Sequence, residues 1–68
     1  MTPFVIGTRE DVAGFALAGV DGAICNTDDE ANRALMELRR DQIAIVSAEF
    51  ANCAAIARAP MHVILPPR

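Results

Sequence analysis

The sequence contains no lysine, tryptophan or tyrosine, and its only aromatic residues are three phenylalanines. All six basic residues are arginines, and nine acids outnumber them to give a net charge of −3. Because phosphate affinity depends on clustered Lys and Arg, this composition argues against a nucleic-acid-binding module. No apolar run approaches the roughly 18–20 residues of a membrane span, and no signal-peptide pattern opens the chain. We therefore expect a cytoplasmic protein that does not insert into a membrane.

Residues that typically build cofactor and metal sites are also scarce. The two cysteines, Cys25 and Cys53, lie far apart inside apolar runs, and His62 is the only histidine. This spacing lacks a metal-ligand pattern and predicts buried free thiols. Neither a dinucleotide-binding G-x-G-x-x-G nor a P-loop is present, so we expect no cofactor.

The 53% of hydrophobic residues excludes intrinsic disorder and predicts a packed core. A chain of 68 residues makes a single domain, spanning residues 1–68. Such a core supplies only about 3–5 kcal/mol of net stability, which leaves little room for a catalytic domain with lids and subsites. We therefore expect a non-catalytic protein with no active-site residues.

Four short apolar runs alternate with three helical patterns. Thr8 and Thr27, each followed three residues later by an acid, predict capping boxes that start the first two helices, the first reaching about residue 18. Ser47 is expected to cap the third helix, which ends before Pro60. Continuous apolar strands indicate a parallel sheet, and right-handed crossovers place helices on both faces. The sequence thus predicts a small doubly wound α/β domain, βαβαβαβ, with strand order 2-1-3-4. The four runs span residues 4–6, 23–25, 43–46 and 62–65.

The first helix has no charged residue from position 12 to position 20. One stripe is expected to face the sheet, namely Val12, Phe15, Ala16 and Gly19. A helix that is apolar on all sides is typically buried on both sides, and in so small a domain the second cover must be another protein surface. We therefore predict a partner-binding surface on the opposite side, formed by Gly14, Leu17 and Ala18. The alternative is a short helix whose small residues simply tolerate water.

Two other functions remain open at this stage. Thr8 and Ser47 follow strands 1 and 3, so both lie at the sheet edge where α/β domains bind ligands, which suggests a small-ligand or anion sensor. A phosphate-accepting receiver is excluded, because Ser47 stands where the phosphoacceptor aspartate would be. The second alternative is a self-associating module that forms a homodimer in isolation.

The chain resembles the F subunit of V/A-type ATPases over most of its length. Residues 14–20, GFALAGV, follow the first strand and resemble the G-F-x-L-A-G-V signature of that family. Residues 40–46, RDQIAIV, followed by Glu49, are similar to its R-D-D-I-G-I-I segment and the acid beyond it. Pro60 and residues 63–66 resemble its P-x-x-V-x-I-P ending.

The resemblance implies a non-catalytic subunit of the central stalk, or rotor. Its expected partner is the coiled-coil D subunit of that stalk, with the catalytic ring as a further contact. Such an assembly couples ATP hydrolysis or synthesis to proton or sodium transport and lies at the membrane periphery. Two departures from the family are expected to matter. Ala16 stands where the family often has arginine, so a charge contact to the partner is expected to be missing. The family's C-terminal helical tail has no counterpart after Pro66, which predicts either a naturally short form or a chain that holds only the globular part.

Overall fold

A computed structural model of the protein describes residues 2–50 and 62–66. Its strands form one sheet in which every neighbouring pair is parallel and the order is β2-β1-β3-β4. This arrangement confirms the predicted α/β fold and strand order. The strands are β1 (Thr2–Gly7), β2 (Gly22–Ile24), β3 (Gln42–Val46) and β4 (His62–Ile64).

Two α-helices connect the first three strands. Helix α1 spans Arg9–Ala16 and helix α2 spans Asp28–Met36. Helix α1 ends two residues earlier than predicted, because the chain turns through Gly19, whose φ of 83° lies in the left-handed region that favours glycine. A 3₁₀ turn at Ala48–Phe50 follows β3. The rest of the predicted third helix falls outside the described residues.

The two helices lie on opposite faces of the sheet. Successive strand residues point to opposite faces, so Val5 and Ile6 mark the two sides of β1. Ile6 packs in one cluster with Leu35 of α2. On the other face, a Cβ added at Gly22 would lie 3.0 Å from Val5 Cβ and 3.3 Å from Val12 Cγ1 of α1. The predicted placement of helices on both faces is therefore confirmed.

The main core lies between the sheet and α2. Cys25 is buried in it, and burial, followed by the Glu30 carboxylate, raises the pKa of the Cys25 thiol. The thiol is therefore held protonated and unreactive, as a buried structural cysteine would be. Cys53 lies outside the described residues. The members of the cluster are Ile6, Cys25, Ala31, Leu35, Ala44, Val46 and Phe50.

The predicted sheet-facing stripe of α1 is only partly correct. Val12 is the only buried residue of the helix, and Phe15 is half-buried. Ala16 and Gly19 are exposed. The reason is the length of α1, since eight residues make little more than two turns. Gly19 lies in the turn beyond the helix and cannot continue its stripe.

Candidate functional site

The side of α1 that faces away from the sheet is open. Gly14, Leu17 and Ala18 are all exposed, and together they form what we call the α1 outer face. Leu17, the C-cap residue, is 93% exposed, the highest value among the large apolar side chains of the described residues. A Cβ added at Gly14 would meet no atom within 4 Å. The predicted binding residues are thus accessible, while their partner is not identified by the fold.

A second apolar surface lies on the same side of the sheet as α1. Val5, Ile45 and Val63 are paired across β1, β3 and β4, so their side chains share one face. Val5 is fully buried under α1, Ile45 is half-buried and Val63 is 54% exposed. The rising exposure shows that the cover supplied by α1 ends near β3. We call the exposed part of this sheet face, carried by Ile43, Ile45 and Val63, the open face.

The α1 outer face and the open face lie on the same side of the sheet. Asp11 reaches Ser47 at the end of β3, so the Asp11 side of α1 is turned toward β3. Phe15 lies four residues later and therefore on the same side of the helix. Its side chain is half-buried. The two apolar surfaces thus lie on one side of the sheet but on separate elements, so patterns within a single element do not reveal them together.

A cleft of about 490 Å³ opens at the carboxyl ends of the strands, where a ligand was one of the predicted alternatives. Three of its lining residues are acids and one, Arg9, is basic. That balance disfavours an anion, because the carboxylates repel negative charge. The lining residues are Thr8, Arg9, Glu10, Asp11, Ser47, Ala48, Glu49 and Pro66.

Ser47 joins α1 to the end of β3 at the back of this cleft. Its side chain is 1% exposed, and its Oγ donates to Asp11 Oδ2 over 2.5 Å. The same oxygen accepts a hydrogen bond from the backbone N–H of Thr8 over 3.2 Å. We call these three residues the Ser47 node. A hydroxyl that donates to a carboxylate makes a charge-assisted hydrogen bond. The Ser47 hydroxyl thus makes its hydrogen bonds to groups of the protein itself.

Thr8 caps α1 as predicted, whereas the second half of its capping box and the side-chain role expected of Ser47 differ in the structure. Thr8 Oγ1 does accept from the backbone N–H of Asp11 over 3.3 Å, as a capping box requires. However, the Asp11 carboxylate is bonded to Ser47. The Ser47 backbone carbonyl accepts a hydrogen bond from the Phe50 N–H of the following turn. The Ser47 hydroxyl, in contrast, donates to Asp11 of α1. Only the parallel neighbourhood of β1 and β3 brings these groups together, across 36 residues of sequence.

Replacing Gly7 by alanine is expected to destabilise the domain by about 1–3 kcal/mol through overpacking. A Cβ at Gly7 would lie 1.8 Å from Ser47 Oγ and 2.7 Å from Ser47 Cβ, so the buried serine would have to move. Urea denaturation of the variant measures the loss. Gly14→Ala is the matched control, because its added methyl group meets open space. Equal stability of the two variants would contradict the close packing at Gly7.

Other candidate chemistry finds little support in residues 2–50 and 62–66. No group of three His, Cys, Asp or Glu side chains in this part of the chain is arranged to hold a metal ion. His62 begins β4, whereas Ser47 follows the last residue of β3, so the fold does not bring them together. None of the helices within the described residues has the length and apolar character required to cross a bilayer.

The described residues form a small parallel α/β domain with exposed apolar side chains on α1 and on the sheet. The family model described as ATP synthase (F/14-kDa) subunit matches residues 4–59, most of the 68-residue chain. The protein belongs to this family and is an accessory stalk subunit of V/A-type ATPases. No curated protein and no solved structure matches the chain significantly.

Proposed function

We propose that the protein is a non-catalytic rotor subunit that binds the coiled-coil D subunit of a V/A-type ATPase. In this role it helps to couple ATP hydrolysis or synthesis to ion transport, at the cytoplasmic periphery of the membrane. The observation that carries the proposal is the accessible, uncharged α1 outer face, with Leu17 93% exposed. Membership of the F-subunit family supports an ATPase complex as the assembly in which this surface is used.

The D subunit is expected to dock through the apolar seam of its helices. A small residue at Gly14 allows a helix backbone to approach closely, and Leu17 supplies apolar area to bury. The open face, on the same side of the sheet as α1, offers the partner further apolar area at Ile45 and Val63. Fully burying a side chain of the size of leucine contributes about 1.5–3 kcal/mol, so Leu17 alone accounts for a substantial part of a specific affinity.

The direct test is calorimetry of the whole chain against the coiled-coil segment of the D subunit that the same genome encodes. The proposal requires a saturable 1:1 complex. The neighbouring reading frames offer an independent check, since they are expected to encode the A, B and D subunits. Light scattering over a concentration range tests the alternative. If the chain does not bind this coiled coil and forms a homodimer instead, self-association replaces the proposed function.

Gly14→Ala is expected to change stability and binding in opposite directions. Alanine is favoured over glycine inside a helix by about 0.8–1.0 kcal/mol, and nothing within 4 Å opposes its methyl group in the free domain. The variant should therefore unfold at higher urea. If the D subunit packs closely over Gly14, the same methyl group should weaken the complex. Unchanged affinity would show that the partner does not approach this position.

A further inference from the structure

The Ser47 node lies outside the predicted docking surface, but it links the first turn of α1, which carries that surface, to the end of β3. Helix α1 has eight residues, too few to be stable through helix propensity alone. Its only buried side chain is Val12. The apolar attachment of the helix to the sheet is therefore small, since Val12 is buried and Phe15 is only half-buried. The hydrogen bonds of the node add a polar attachment at the N-terminus of the helix.

We propose that Ser47 and Asp11 are positioning residues that fix the orientation of α1 on the sheet and so preset the α1 outer face for its partner. The part of this proposal that concerns binding rests on the proposed function. Leu17 lies six residues after Asp11, or about 9 Å along the helix at 1.5 Å per residue. A small change of tilt at the node is therefore enlarged where the partner would dock.

The backbone around Ser47 does not depend on its hydroxyl. The Ser47 N–H donates to the Ile6 carbonyl over 3.0 Å, and the Ser47 carbonyl accepts from Phe50 N–H over 2.9 Å. Both contacts survive when the side chain is shortened to alanine. Ser47→Ala thus removes the link to α1 while it leaves the pairing of β3 and the following turn in place.

The test combines Ser47→Ala, Asp11→Ala and the double variant in the whole 68-residue chain. Hydrogen exchange of the α1 amides reports the attachment of the helix, and amides of β1 and β3 report the sheet. We expect α1 exchange to accelerate at least tenfold in each single variant, with the strand amides much less affected. The effects of the two substitutions should be less than additive in the double variant, because both remove the Ser47–Asp11 hydrogen bond, while Ser47→Ala also removes the bond from the Thr8 N–H.

Two further variants separate positioning from helix electrostatics. Glu10→Ala removes an exposed acid from the same first turn without touching Ser47, so it should leave α1 exchange within about twofold of the wild type. Asp11→Asn keeps an oxygen acceptor for the Ser47 hydroxyl and should restore most of the protection lost in Asp11→Ala. Additive effects of the Ser47 and Asp11 substitutions, or unchanged exchange in Ser47→Ala, would overturn the proposal.

Affinity for the D subunit is the second measurement. If the node only stabilised the fold, the affinities of the variants would not follow the same order as their α1 exchange rates. Affinity should fall about tenfold in Ser47→Ala and Asp11→Ala and recover in Asp11→Asn. If the wild-type chain does not bind this coiled coil, the proposed function fails, while the exchange data still decide whether the node positions α1. If Ser47→Ala binds as tightly as the wild type despite faster α1 exchange, the proposal that the node orients the α1 outer face for its partner is wrong.

Discussion

Leu17→Asp is expected to abolish binding to the coiled-coil D subunit while the free domain stays folded. Leu17 is 93% exposed, so its replacement removes almost no burial within the domain. In the complex the new carboxylate would be buried without a partner, which costs about 3–5 kcal/mol in comparable settings. Since every 1.4 kcal/mol corresponds to a tenfold change, affinity should fall by a factor of at least about 100.

The control for this variant is Met36→Asp. Met36 is 70% exposed and is the last residue of α2, so its replacement introduces the same charge at a helix C-terminus and matches the unfavourable interaction with the helix dipole. It lies on the opposite face of the sheet from α1. Calorimetry of both variants should show binding lost in Leu17→Asp and largely kept in Met36→Asp. Undiminished affinity of Leu17→Asp would exclude the α1 outer face as the docking surface but would leave the family assignment intact.

Phe50→Ala is expected to unfold most of the population. Phe50 is 4% exposed and packs in the main core with Ile6 and Leu35. Truncation of a buried phenylalanine costs about 3–5 kcal/mol. The net stability expected for a chain of this length is about 3–5 kcal/mol, so the loss is as large as the total. Circular dichroism with urea titration measures the loss.

Phe15→Ala is the matched comparison, because it removes the same atoms from a half-buried site on α1. Its expected cost is about 1–2 kcal/mol, well below the value for a fully buried ring. From the sequence alone, Phe15 is the phenylalanine expected to anchor α1 to the sheet, with a cost of about 3–5 kcal/mol. A larger loss for Phe15 than for Phe50 would restore that prediction and contradict the burial seen in the fold.

The locations of the core strands and helix starts follow from local signals. The apolar run at Ile43–Val46 is too continuous for a half-exposed strand, and Thr27 followed by Glu30 marks a helix start. In the structure Thr27 Oγ1 accepts from Glu30 N–H over 3.2 Å. Such signals act over a few residues, so they survive whatever tertiary contacts are added. Element ends are less well determined, because the end of α1 depends on the turn at Gly19.

The exposure of the α1 outer face could be predicted from the sequence for the same reason, while its role in binding stays a prediction. A helix segment without charge is visible in the sequence, and Gly14, Leu17 and Ala18 are indeed exposed. The open face was missed, because Ile43 and Ile45 belong to a run that predicts burial on both sides. The structure leaves one side of that run partly uncovered, since α1 lies against β1 and β2 and its cover ends near β3.

The sequence by itself determined the parallel sheet, its strand order and the family. These depend on residue patterns within single elements and on the general preference for right-handed crossovers. Only the tertiary structure decided the partner of Asp11, the different burial of Phe15 and Phe50, and the limit of the cover over β3. Each of these depends on which residues meet across the sheet, as Asp11 and Ser47 do across 36 positions of sequence. No local sequence pattern indicates such long-range contacts, because they are set by the packing of whole elements.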